Sequence, residues 1–196
     1  MDERELGSIA DWAADLTRRF YNVWQQKYSD HKQGFQIFAG QVVARPRILI
    51  ITENPGVLPS VDRFREYLGH LQRNGFRPES YVPYLGLHNR STVGPMMNYL
   101  LGESVLKDSV ATWLCFLRTK TLKQIDSSMI EVCAPFLNEI IRVVEPQRIL
   151  LVGRGTWPVE ANVPTFRMYH PNYYRYKPKQ ARFQLKQEID QLLDSR

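Results

Sequence analysis

Residues Arg47-Ile48-Leu49-Ile50-Ile51-Thr52 run directly into Glu53-Asn54-Pro55-Gly56. The first six form a short, isoleucine-rich apolar run ended by a Pro-Gly pair, the pattern of a strand buried on both faces. Val110 to Leu117 (VATWLCFL) and Arg148 to Gly153 (RILLVG) have the same character, and Thr165 to Tyr169 is predicted as a fourth strand. Between these runs the period changes. Leu6, Ile9, Trp12, Ala13, Leu16, Phe20, Val23 and Trp24 recur at three- and four-residue steps, so residues 1–30 are assigned to an amphipathic amino-terminal helix. Asp62 to Asn74 is a helical patch and Pro95 to Leu101 a short helix. Ser128 with Glu131 reads as a capping box ahead of Val132, Phe136, Leu137, Ile140, Ile141 and Val144, with Pro135 expected to kink or restart that helix. Phe183, Ile189, Leu192 and Leu193 mark a closing helix.

Helices alternating with strands require crossover connections. The prediction is a three-layer α/β/α sandwich around a central, mostly parallel four-stranded sheet, in a single domain over residues 1–196. Ligands of such sheets bind at the carboxyl ends of the strands. Here those ends carry Thr52-Glu53-Asn54-Pro55-Gly56, Leu117-Arg118-Thr119-Lys120, Gly153-Arg154-Gly155-Thr156 and Tyr169-His170-Pro171-Asn172. The stretch 57–92 is a long region punctuated by aromatic, proline and glycine residues, assigned as a pocket or lid insertion.

At 196 residues, with 43% hydrophobic and 23% charged, the chain has a globular composition and builds a core without covalent staples. Its two cysteines, Cys115 and Cys133, are too few for a cysteine-only zinc site or a four-thiolate iron–sulfur cluster. No metal or cofactor is expected. A nucleotide hydrolase is disfavoured, because the sequence contains neither a phosphate-binding GxxxxGK[ST] loop nor clustered acids for magnesium. No stretch approaches the roughly 18 consecutive apolar residues of a membrane span, and the acidic start MDERELGS is unlike a secretory signal. The expectation is a soluble, reduced, cytoplasmic protein.

The net charge is +6, and its distribution matters more than its size. From Arg167 to Lys186 there are six basic residues and no acid, interleaved with Tyr169, Tyr173, Tyr174, Tyr176 and Phe183. Cations for phosphates and aromatic faces for bases suit a polyanion. A solvated helix start is the other reading of the same run.

Taken alone, ENPG is a turn in which Pro sets one dihedral angle and Gly supplies a positive one. Taken alone, His170-Pro171-Asn172 is equally a surface or packing motif. Together, on one rim, they offer an amide, a carboxylate and an imidazole beside a basic aromatic segment. From about Arg47 onward the sequence resembles the uracil-DNA glycosylase superfamily. ITENPG is similar to its first motif, which reads glycine, any residue, Asn-Pro-Gly in the mismatch-specific branch and Gly-Glu-Ala-Pro-Gly in the iron–sulfur branch. EVCAPFL (131–137), RILLVG and MYHPNYYR resemble the carboxyl-terminal half of the iron–sulfur branch.

That resemblance implies a monofunctional DNA glycosylase, which extrudes a nucleotide and hydrolyses its N-glycosidic bond with water. His170 would donate to the base oxygen that gains charge. Asn54 would hold the water, with Glu53 either activating that water or bracing the loop. Pro55 and Gly56, with Tyr84, His88, Asn89 and Trp113, would line the base pocket. Asn172, Tyr173, Tyr174 and Arg175 would enter the DNA and fill the gap, while Lys177, Lys179 and Arg182 neutralise phosphates.

Two departures bear on the substrate. The superfamily's pyrimidine-reading asparagine corresponds to Trp113, which is either a pocket residue or plain core, and the cluster cysteines are replaced except at Cys133. With the long 57–92 segment, this leans toward a larger base. One example is the glucosylated hydroxymethylcytosine of phage DNA, which antiviral members of the superfamily excise. Uracil or mismatch repair, and an inactive DNA-binding member, are the alternatives.

Overall fold

The computed structural model describes residues 3–56, 60–78, 93–153, 159 and 161–194. Its elements follow in the order α1 (Glu3–Lys27), β1 (Ile48–Thr52), α2 (Val61–Arg73), α3 (Val93–Lys107), β2 (Ser109–Trp113), α4 (Ser127–Val144), β3 (Ile149–Val152), β4 (Thr165–Met168), α5 (Pro171–Arg175) and α6 (Lys179–Asp194), with a 3₁₀ turn at Leu122–Gln124. The strands form one sheet in the order β2-β1-β3-β4, and each pairing is parallel. This is the three-layer α/β/α architecture. On one side α1 packs with α4, and on the other α3 packs with α5 and α6.

The isoleucine-rich run is central for the reason its composition suggests. All five residues of β1 and all four of β3 are buried, so each contributes side chains to both faces. β2 lies at an edge yet is buried from Val110 onward, because the segment after α1 covers it. Ala39 N donates to Ala111 O at 3.0 Å, Gln36 N to Phe116 O at 2.9 Å, and Thr112 Oγ1 to Ile37 O at 2.7 Å. An edge covered in this way offers few open backbone groups to other chains. Phe20 of α1 fixes the helix on this scaffold: fully buried, its ring meets those of Phe35, Phe116 and Phe136 edge-on at 5.3, 5.1 and 5.2 Å.

Local details depart from the sequence reading. β2 stops at Trp113 rather than Leu117. The chain beyond it stays buried but bends, with Leu114 N and Cys115 N donating to the carbonyls of Thr52 and Glu53 at 2.7 and 3.0 Å. The cap of α4 is Asp126, not the Ser128/Glu131 box. Asp126 Oδ1 accepts from Met129 N at 2.9 Å and from the Ser128 hydroxyl at 2.7 Å; a carboxylate at a helix amino terminus also gains from the backbone dipoles.

α4 runs unbroken through Pro135. The proline is exposed, so the carbonyl it leaves unbonded can face water. The break comes instead in α3, at Gly102, with φ 77° and ψ 157°. Phe183, placed on the buried face of the closing helix by its period, is 57% exposed; α6 begins at Lys179 and buries Leu185, Ile189 and Leu193.

Candidate active site

Because the strands are parallel, their carboxyl ends share one rim. Glu53 and Asn54 follow β1, Gly153 follows β3, and His170 follows β4 by two residues. Thr52 pairs with Val152, so Glu53 and Gly153 are the next residues along the same ladder. Paired residues of parallel strands direct their side chains to one face. Gly153 has no side chain, and that of Glu53 lies across it. A Cβ added at position 153 would stand 2.6 Å from Glu53 Oε1 and nearer still to Cγ and Cδ. The φ of Gly153, 142°, is itself disfavoured for any residue with a Cβ.

β4 is the strand beyond β3, and it delivers His170. This imidazole is half-buried, and desolvation pushes its pKa below the ordinary 6.5, with the charge of Glu53 acting in the opposite sense. The Glu53 carboxylate is therefore felt at the His170 imidazole. Pro171, the first residue of α5, biases His170 away from helical geometry, and the His170 carbonyl accepts from Tyr173 N at 2.8 Å.

Asn54 turns toward the β2 side. Its Nδ2 donates to Thr119 Oγ1 at 2.9 Å and to Thr119 O at 3.3 Å, and Thr119 Oγ1 donates onward to Thr121 O at 3.0 Å. With the amide hydrogens directed there, Oδ1 is the end able to orient a water. The carbonyls of Pro55 and Gly56 accept from Arg118 Nη1, each at 3.2 Å, and Arg118 Nη2 donates to Gln36 Oε1. Gly56 adopts a φ of 66° in this turn. The segment after β2 thus pins Asn54, Pro55 and Gly56 together. Arg118 and Thr119 have no assigned role in the sequence reading; the available signal is a pair of polar residues closing the buried run VATWLCFL.

Trp113 is a core residue, 1% exposed, the second of the two readings open to it. Tyr84, His88 and Asn89 lie outside the described residues. Beyond β4 the basic aromatic segment splits. Tyr169, Tyr173, Tyr176 and Phe183 are exposed, whereas Tyr174 is half-buried against the core and burial raises its phenol pKa. The Tyr169 and Tyr173 rings lie 4.5 Å apart, and Lys177 Nζ stands 4.7 Å from the Tyr173 centroid. Lys177 and Lys179 are exposed and Arg182 is half-buried; Asn172 and Arg175 belong to α5.

Among the described residues no group of three or more His, Cys, Asp or Glu is placed to hold a metal ion. The residues do not fit a four-thiolate cluster either. The chain has two cysteines, both buried, and Leu117, at the position of another cluster ligand, is a fully buried core leucine. No described helix is long and apolar enough to cross a membrane.

A family model described as the uracil DNA glycosylase superfamily matches residues 39–194. The chain belongs to this superfamily. No curated protein sequence matches it. The match begins within the segment that covers β2 and ends in α6, so it takes in the whole sheet and both motif-bearing turns. Membership of the uracil-DNA glycosylase superfamily brings with it a DNA-glycosylase type of function and DNA as the molecule acted upon.

Proposed function

We propose that this superfamily member is a monofunctional glycosylase that hydrolyses the N-glycosidic bond of an extruded pyrimidine and leaves an abasic site. The observation that carries the reading is the shared carboxyl-end rim, where the Glu53 side chain lies against Gly153 and its charge acts on His170. In the reaction the base departs with the bonding electron pair, and water adds to the anomeric carbon. His170, with its pKa lowered, is neutral at pH 7; it donates an N–H to the base oxygen on which charge accumulates, a contribution worth about 10²–10³ in rate. Asn54 Oδ1 accepts from the attacking water and orients it, while the Glu53 carboxylate takes its proton. Tyr173 fills the space vacated by the base, and Lys177 and Lys179 meet the flanking phosphates.

The substrate leans toward a bulky modified cytosine, such as glucosylated hydroxymethylcytosine in phage DNA, with a role in antiviral defence. Supporting this, the counterpart of the pyrimidine-reading asparagine is Trp113, a buried indole with no amide to offer the base edge. Uracil repair is the second reading, supported by superfamily membership itself. One experiment separates them: incubation with uracil-containing, mismatched and glucosylated DNA, followed by alkali cleavage at abasic sites. Product on glucosylated DNA alone supports defence, and product on uracil supports repair. Absence of product on all three leaves a DNA-binding protein without catalysis. Asn54→Ala and His170→Ala are each expected to lower excision by about 10² or more with little change in DNA affinity; near-normal turnover in both would remove the assignment.

A further inference from the structure

On the β2 side of the rim, behind the turn that carries Asn54, lies a cavity of about 330 Å³. His31, Gln33, Arg118, Thr119, Lys120 and Gln124 line it, with Met129 as its apolar patch. The lining therefore holds two cations and a histidine but no carboxylate. Arg118 is the unusual member, a guanidinium only 5% exposed. The acceptors around it, the carbonyls of Pro55 and Gly56 and the amide of Gln36, are neutral, and its Nε has no hydrogen-bond partner. Among the described residues no carboxylate pairs with it. Desolvation brings its pKa down to about 10, which still leaves it charged at neutral pH.

A buried cation without a counter-charge is costly by several kcal/mol, and here it borders an open cavity rather than packed core. We propose that this cavity is an anion site that takes a phosphate group. Arg118 supplies the fixed charge at its base, and exposed Lys120 closes on the anion from the solvent side. The neutral walls also suit a group with several acceptor oxygens. Gln124 Oε1 accepts from the backbone N–H of Lys120 and Thr121 at 2.9 and 3.2 Å, which leaves its amide nitrogen as a donor. The Gln33 amide has a buried oxygen without a partner, and turned over it presents N–H groups instead. His31 Nε2 is engaged with Arg118 O at 2.6 Å, so its ring holds the backbone of the residue that bears the charge. Because Arg118 also grips Pro55 and Gly56, an anion here stiffens the turn that presents Glu53 and Asn54.

The phosphate comes either from the backbone of bound DNA or from a free phosphate compound. The test is calorimetric titration of the full chain with inorganic phosphate at fixed ionic strength, with chloride as control. Saturable binding is expected, weakened about fivefold or more in Lys120→Gln and abolished in Arg118→Gln. Because Arg118 also anchors the motif turn, Lys120→Gln carries the test if Arg118→Gln does not fold. Absence of saturable phosphate binding, or equal affinity in wild type and Lys120→Gln, overturns the proposal. Repeating the titration with saturating duplex DNA tells the sources apart. Phosphate affinity lowered by DNA marks a backbone phosphate as the occupant, and unchanged affinity marks a free one. Since the readout is binding, the site stands or falls independently of which base, if any, is excised.

Discussion

The side chain of Glu53 lies across the bare α-carbon of Gly153 at the exit of β3, and its charge acts on His170 beyond β4. Gly153→Ala is therefore expected to displace Glu53 and to lower excision about tenfold or more. Its positive φ adds a backbone strain of about 1–3 kcal/mol. Measuring excision alongside the unfolding midpoint separates the two effects. Full activity in the folded variant would show that the position of Glu53 does not matter to the chemistry.

His170 titrates below 6.5, and Glu53 is the charge that resists this lowering. A histidine whose folded pKa lies below its unfolded value binds fewer protons folded than unfolded in the interval between them. Its contribution to stability is present above about 6.5 and disappears as the pH falls through the folded value. Histidine-selective NMR should find the His170 midpoint below 6.5 and lower again in Glu53→Gln. A midpoint that rises in that variant contradicts the geometry.

Asn54 and Thr119 are expected to behave as one unit. Thr119→Val removes the hydroxyl that orients the amide and should lower excision about tenfold, less than Asn54→Ala. The double variant should be no slower than Asn54→Ala alone, because the effect of Thr119 passes through Asn54. Additive reductions in kcat would mean that Thr119 acts by another route.

Replacing Lys177 and Lys179 with alanine should weaken binding to all DNA sequences alike. The slope of log affinity against log salt should become shallower by roughly 0.9 for each duplex phosphate that is no longer neutralised. Fluorescence anisotropy across a salt series measures this directly. An unchanged slope would place the DNA elsewhere, and a weakening confined to one sequence would make these lysines readers rather than neutralisers.

Much of this fold is legible in the residue order. Three buried apolar runs and a fourth short strand, separated by helical periods, define a parallel sheet whose carboxyl ends collect the motifs. The discrepancies are local. Ser128 with Glu131 fits the capping pattern, but Asp126 two residues earlier wins the cap through geometry alone. The period of the closing helix puts Phe183 inside, yet periodicity does not reveal where α6 meets the core, and the ring is exposed.

The sequence by itself determined the strands, their succession along the chain and the two turns that carry Glu53, Asn54 and His170, because apolar runs and helical periods are properties of neighbours along the chain. The tertiary structure alone decided where those side chains point. Glu53 lies over Gly153 because that glycine leaves the space open, Asn54 turns to Thr119, and Arg118 is buried among neutral acceptors. Each of these depends on the register between strands and on packing between residues distant in sequence, which no local pattern records.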